Sequence, residues 1–243
     1  MSDSMGTRKI LDLLDLTLLD LGANEEDLTE ICELARRHRT AAVCVFPEHA
    51  EFVKGRIKPA VSLALVAGGF PRGSESPGEI FDAVCEAVSM GADEIDCVLE
   101  PDDAPSFPGE SEIAKLIAMR EASQGLILKV ILEATLLDER RLRAVTRMAL
   151  AAGADFVKSC TGKRGDCSDE AAAIMADEVS RHCLSFEGSP GVKLSGGISN
   201  REDAERLISI VEERDGTISG KGRMRIGASS LIQDLVDGGL GRN

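Results

Sequence analysis

The chain has 243 residues, 43% of them hydrophobic and 29% charged, a composition that suits a soluble globular protein and excludes a disordered one. Its formal net charge of -14 argues against a polyanionic partner such as DNA or RNA, so an anionic small molecule would need a local positive site. The opening "MSDSMGTRKI" lacks an apolar signal core and no apolar run approaches the ~20 residues of a membrane span, so a cytoplasmic protein with no membrane partner is expected.

Apolar runs of strand length alternate with longer helical patterns along the chain. "LLDLTLL" predicts a strand and "NEEDLTEICELARRH" a helix with Asn24 as its cap and an acidic first turn. "AAVCVFP" is the second strand, followed by "EHAEFVKGRI". "VSLALVAGG" is the third, and the helix after it, "SPGEIFDAVCEAVSMG", is stopped by Gly91. The fourth strand "EIDCVL" precedes the helix "ESEIAKLIAMREASQ", and the fifth, "LILKVILEA", precedes "DERRLRAVTRMALAAG". "DFVKSC", "GVKLSGGI" and "RMRIGASS" are the last three strands, with "SDEAAAIMADEVSRH", "NREDAERLISIVEER" and a short closing helix between and after them. Eight strand and helix pairs in this length predict a single α/β domain over 1–243, a (β/α)8 TIM barrel, with a doubly wound sheet as the alternative. The Pro-rich segment "EPDDAPSFPGES" at 100–111 reads equally as an active-site loop or a surface insertion.

In such a barrel the site lies at the carboxyl ends of the strands, which draws attention to charge inside apolar runs. Asp96, Lys129, Lys158 and Lys193 each occupy such a run. Burying an isolated charge is costly, so inward-pointing members of this set should meet. Lys158 and Lys193 fall on adjacent strands, where two ammonium groups and burial disfavour mutual protonation, leaving one amine free to attack a carbonyl. Asp96 could then shuttle a proton. A buried ion-pair network without catalysis fits the same spacing. "TGK", "GGIS" and "GASS" end the last three strands and offer backbone N–H groups, Lys163, Ser199, Ser229 and Ser230 to one anion; each alone is a tight turn, but three in succession suggest a phosphate site. The 7 cysteines contain no CxxC pair and suit a reducing compartment, and the 3 histidines have no metal-ligand spacing, so no metal is expected.

With "LLDLTLLD", "VCVFP", "GGFPRG", "GADEIDCVL", "LKVILEA", "GADFVKSCTGK", "GVKLSGGIS" and "RIGASSL" in order, nearly the whole chain resembles the deoxyribose-phosphate aldolases, metal-free Schiff-base aldolases. The resemblance implies reversible cleavage of 2-deoxy-D-ribose 5-phosphate to D-glyceraldehyde 3-phosphate and acetaldehyde, with no cofactor. It puts the Schiff base on Lys158, its perturbing lysine on Lys193 and the proton relay on Asp96. Phosphate contacts fall on Gly162, Lys163, Gly196, Gly197, Gly227, Ser229 and Ser230. Asp15 and Thr17 also match family positions, as substrate ligands or simply as first-layer polar contacts of the barrel; Cys44 matches a family cysteine near the site, with a small buried hydrophobe as the alternative, and Lys129 belongs to the surrounding charge network. The expected partner is a phosphorylated sugar, with a homodimer allowed.

Some positions depart from the family pattern. Cys160 stands for a serine two places after Lys158, Gly69 for an asparagine after the third strand, and Ala134 for a threonine after the fifth. Tyrosine is absent, whereas some longer members carry one at the C terminus. A Schiff-base aldolase for another phosphorylated sugar, and a barrel that binds such a metabolite without turnover, are the alternatives.

Overall fold

The computed structural model describes residues 3–216 and 218–237; the terminal "GLGRN", where the tyrosine comparison falls, lies outside them. Helix α1 (Asp3–Leu13) leads directly into β1 (Leu14–Leu18), followed by α2 (Glu25–His38), β2 (Ala42–Val45), α3 (Ala50–Ile57), β3 (Ser62–Ala67) and α4 (Pro77–Ser89). Then come β4 (Glu94–Val98), α5 (Glu110–Ala122), β5 (Ile127–Ile131), α6 (Glu139–Ala151), β6 (Phe156–Lys158) and α7 (Asp169–Ser185). The chain ends its regular structure with β7 (Gly191–Ser195), α8 (Arg201–Asp215), β8 (Met224–Ala228) and α9 (Leu231–Asp237). All strands are parallel and pair in sequence order, and β8 closes on β1 with Leu14 opposite Ile226. This is the (β/α)8 barrel expected from the alternation.

One element departs from that expectation. Leu13, read as the start of the first strand, ends α1, a helix absent from the sequence reading. With Ile10 and Leu13 buried, α1 lies against β8 and α8. The remaining boundaries follow local chemistry. Asn24 caps α2 by accepting from the N–H groups of Glu26 and Asp27 at 2.7 and 3.1 Å, and the Asp27 carboxylate accepts from Asn24 N–H in return. After α4, Gly91 takes a φ of +90°, open to glycine without steric cost, and turns the chain toward β4. No helix among the described residues is long and apolar enough to cross a membrane.

Alternation along each strand sorts side chains between two interiors. Leu16, Val43, Leu65, Ile95, Leu128, Val130, Val157, Leu194 and Ile226 join one apolar core together with the helices. Residues of opposite parity fill the barrel lumen. On β2 and β3 these are small and apolar, with Ala42, Cys44, Ala64 and Val66 forming a separate cluster. Around the rest of the wall Asp15, Glu94, Asp96, Lys129, Lys158, Lys193 and Arg225 bring charge into the lumen among small and apolar neighbours, and they build the site.

Candidate active site

Strand pairing puts the charged residues side by side before any side chain is considered. Asp96 on β4 stands opposite Lys129 on β5, Lys158 on β6 opposite Lys193 on β7, and Lys193 opposite Arg225 on β8. Their side chains converge in the lumen. Asp96 contacts Lys193 at 2.7 Å, Lys193 contacts Asp15 at 2.6 Å, and Asp15 contacts Arg225 at 2.6 Å. Arg225 grips Glu94 with two N–H groups at 2.8 and 3.0 Å, Glu94 contacts Lys129 at 2.5 Å, and Lys129 returns to Asp96 at 2.9 Å. The result is a closed ring in which the acids Asp96, Asp15 and Glu94 alternate with the bases Lys193, Arg225 and Lys129. A cross-link from Lys129 to Asp15 at 3.0 Å braces it.

Lys158 stands outside this ring, attached at one point. Its Nζ donates to Asp96 Oδ2 at 2.8 Å, the oxygen that Lys193 also holds. The ring therefore balances its charges internally, and the Lys158 cation is surplus to it. This matters because unpaired charge is far more costly in a dry interior than paired charge.

Titration directions agree with that balance. Burial alone would raise the Asp96 carboxyl, but Lys129, Lys158 and Lys193 outweigh it and hold it well below the usual carboxylate range. Asp15 is likewise held far down, with Arg225, Lys129 and Lys193 overcoming burial. Burial would lower Lys193, but Asp15 and Asp96 keep it above the usual lysine value, and Lys129 is raised well above it by Asp15, Asp96 and Glu94 acting against the same burial. Cys44 Sγ lies 3.9 Å from Asp96 Oδ2; burial, reinforced by Asp96, pushes its thiol up to about 11, so it stands neutral in the β2 wall.

Above Lys158 the carboxyl ends of the strands enclose a cavity of about 150 Å³. Lys158, Thr17, Gly162, Lys163, Gly196, Gly197, Gly227 and Ser229 all line it, which unites most of the residues singled out from sequence. Ser230 and Ser199 are exposed and are not among its lining residues. Gly227 has a second role: a Cβ there would sit 3.1 Å from Lys193 Cε, so its bare backbone gives that lysine room. Gly197 needs glycine on two counts, a φ of +73° and an approach to Asp166 that would bring a Cβ within 2.7 Å. A larger cavity, about 600 Å³, opens at the amino ends of β5 to β8 beside Phe186 and Pro190, and none of the buried lysines lines it.

Three residues of the surroundings lay outside the sequence-based site. Glu94 and Arg225 complete the ring, and charge within a strand, the signal that exposed Asp96, was available for both. Glu133 is buried at φ +48°, a left-handed conformation uncommon for glutamate, and accepts from Thr161 Oγ1 at 2.7 Å. Thr161 Oγ1 in turn accepts from Lys163 N–H, so Glu133 anchors the "TGK" turn. At the rim, Arg164 pairs with Glu100 at 2.7 Å, and Glu100 accepts from Gly73 N–H. The 100–111 segment thus reaches the rim through its first residue, while Arg141 holds its middle by the Asp103 carbonyl at 2.8 Å.

The departures at 160 and 69 also have physical settings. β6 stops at Lys158, so its alternation does not extend to Cys160; burial, with Cys167 and Glu133 nearby, pushes that thiol up to about 12. Gly69 sits at φ +86°, and a Cβ there would come within 3.1 Å of Arg72 O and 3.3 Å of Ser74 N, so the turn as it stands is built for glycine. Among the described residues no cluster of His, Cys, Asp or Glu is arranged to hold a metal ion.

Comparison with known proteins gives a consistent result. The family model described as DeoC/LacD family aldolase matches residues 10–233. A candidate deoxyribose-phosphate aldolase of Coccidioides immitis is 28% identical, with 96% of this chain and 86% of that one covered and a TM-score of 0.79. Two others share the fold: a candidate deoxyribose-phosphate aldolase of Toxoplasma gondii (19% identity, 97% and 94% covered, TM-score 0.88) and the tetrameric deoxyribose phosphate aldolase of Aeropyrum pernix (24%, 98% and 97%, 0.78).

Proposed function

The chain belongs to the DeoC/LacD aldolase family, and on that premise we propose that it cleaves 2-deoxy-D-ribose 5-phosphate reversibly through a Schiff base on Lys158. The observation that carries this reading is the place of Lys158, which opens to the glycine-lined cavity and, among the described residues, is the one cation of the lumen that the alternating ring does not need. Deprotonated, its amine adds to the C1 aldehyde of the open-chain sugar to give a carbinolamine, and loss of water gives an iminium ion. The C3 hydroxyl then passes its proton through water to the Asp96 carboxylate as the C2–C3 bond breaks. The electron pair moves into the iminium and leaves an enamine, while the three-carbon aldehyde phosphate departs. Protonation of the enamine carbon and hydrolysis release acetaldehyde and restore Lys158.

Asp96 is held ionised in the resting site, so it orients the N–H donors around it and is ready to take up the C3 proton and relay it onward. Through it, Lys193 and the nitrogen of Lys158 share one carboxylate oxygen, which keeps a proton donor beside the enamine. The phosphate is assigned to the cluster of Lys163, Ser229 and the backbone of Gly162, Gly196 and Gly197, a local positive and hydrogen-bonding site in a chain of charge -14. A different phosphorylated sugar is the second reading, favoured by the missing polar side chains at Gly69 and Ala134.

The test is borohydride reduction in the presence of acetaldehyde, followed by peptide mass spectrometry. A reduced ethyl adduct on Lys158 is expected; adducts spread over surface lysines with Lys158 unmodified would sink the mechanism. Turnover of another sugar phosphate well above that of the deoxyribose ester would replace the first substrate with the second.

A further inference from the structure

We propose that Arg225 and Glu94, which touch neither Lys158 nor the cavity, are positioning residues that set the charge of the lumen and thereby decide how readily Lys158 acts as a free amine. The inference rests on the Schiff-base reading of Lys158. Arg225 and Glu94 reach Lys158 only around the ring, Arg225 through Asp15, Lys193 and Asp96, and Glu94 through Lys129 and Asp96. Both are nevertheless buried in the same lumen, where charges act on one another over longer distances than at a surface.

The charged and titratable groups facing Lys158 can be taken strand by strand. Asp15 comes from β1, Cys44 from β2, Glu94 and Asp96 from β4, Lys129 from β5, Lys193 from β7 and Arg225 from β8; β3 contributes Ala64 and Val66. Of the nearby loop groups, Glu133 is engaged by Thr161, and Lys163 is exposed and donates to Leu19 O. With Cys44 neutral, the balance is decided by the ring.

Intact, the ring pairs each carboxylate with cations of its own, and the proton on Lys158 can leave without stranding an anion. Remove the Arg225 charge and the carboxylates outnumber the ring cations, so the lumen retains the Lys158 proton as compensation. Remove the Glu94 charge and cations are in excess, so the proton leaves more easily. Two residues bonded to each other should therefore move the same reaction in opposite directions. A purely structural pair would weaken the fold in both cases and leave the pH dependence where it was.

The experiment is borohydride trapping of the acetaldehyde imine on Lys158 as a function of pH, in the full chain, for wild type, Glu94→Gln, Arg225→Met and Arg225→Lys. Wild-type trapping on Lys158 establishes the Schiff-base reading first, so failure at that step is separate from failure of this inference. The acid limb of the trapping curve should move down by about one pH unit in Glu94→Gln and up by about one in Arg225→Met. Arg225→Lys, which keeps the charge, should follow wild type. Should Arg225→Met fail to fold, Glu94→Gln is nearly isosteric and still decides the matter. A Glu94→Gln limb that overlays wild type or moves up overturns the proposal, as does a shift of both folded variants in one direction.

Discussion

Leu128 and Lys129 are neighbours in β5, yet they serve opposite sides of the barrel wall. Leu128 faces the helices and joins an entirely apolar core, whereas Lys129 faces the lumen among Asp15, Glu94 and Asp96. The outer core stabilises by area removed from water, a non-directional effect that tolerates exchange of one hydrocarbon for another. The lumen gains far less from burial, because each charge loses hydration and must recover it from a partner. What the ring supplies is arrangement: a fixed set of charges around one removable proton. Stability and chemistry are thus divided between the two faces of the same strands.

Substitutions on each face should separate these roles. The largest effect is expected for Lys158→Leu, which removes the surplus cation and leaves the ring balanced. Aldol cleavage should fall by about 10⁴-fold or more, while the unfolding free energy stays within roughly 1 kcal/mol of wild type. Retained cleavage would remove Lys158 from the mechanism. Leu128→Ala should do the reverse, costing roughly 2–5 kcal/mol in a denaturant titration through lost burial and a cavity, with the turnover of the remaining folded protein close to wild type. Turnover lost in proportion to stability would show that the two faces are not independent.

Much of this division was legible in the sequence because the outer parity of every strand is apolar, which marks the strands and their order. The inner parity carried the site, and Asp96, Lys129, Lys158 and Lys193 stood out as charges flanked by hydrocarbon. Glu94 and Arg225 carried the same signal less visibly. Glu94 opens its strand, where a solvated end residue is ordinary, and Arg225 follows Arg223 closely enough to suggest a surface turn. The ring itself joins residues from β1, β4, β5, β7 and β8, and only barrel closure brings β8 beside β1. Helix α1 was missed because the apolar residues at its end, Ile10, Leu11 and Leu13, run on into those of the first strand. Glu133 falls within the predicted fifth strand, but β5 ends at Ile131, and neither the left-handed backbone of Glu133 nor its buried bond to Thr161 leaves a mark in the hydrophobic pattern.

Acid separates the faces further. Asp15 and Asp96 have their carboxyls depressed in the fold from an ordinary value of 3.8, so their contribution to stability is fully present above that value and declines as pH falls below it, toward their folded values. Within that interval each is expected to contribute a loss of about 1.4 kcal/mol per pH unit. Lys129 and Lys193 are shifted upward, so what they add is complete below 10.5 and does not change in acid. Carbon NMR of the side-chain carboxyls should show Asp15 and Asp96 still ionised at a pH where exposed acids have titrated. Titration of both with the surface groups would show that the ring does not hold its charges in the folded state.

The smallest expected effect is at the rim, where neither the outer core nor the ring is disturbed. Lys163 is exposed and its Nζ donates to Leu19 O at 2.9 Å, so its charge is available at the cavity mouth without being part of the lumen. Lys163→Ala should raise KM for the 5-phosphate sugar by roughly tenfold, the size of one charge-assisted hydrogen bond reduced by solvent. kcat should change little, because a contact remote from the reacting carbons stabilises the bound ground state and the transition state alike. Free deoxyribose, which lacks the anion, should show no change. Rising salt should narrow the gap between variant and wild type, since an exposed charge is screened within about 8–10 Å at physiological ionic strength. An equal loss on both sugars would place the phosphate elsewhere, and a fall in kcat with KM unchanged would move Lys163 from holding the substrate to shaping the turn around Lys158.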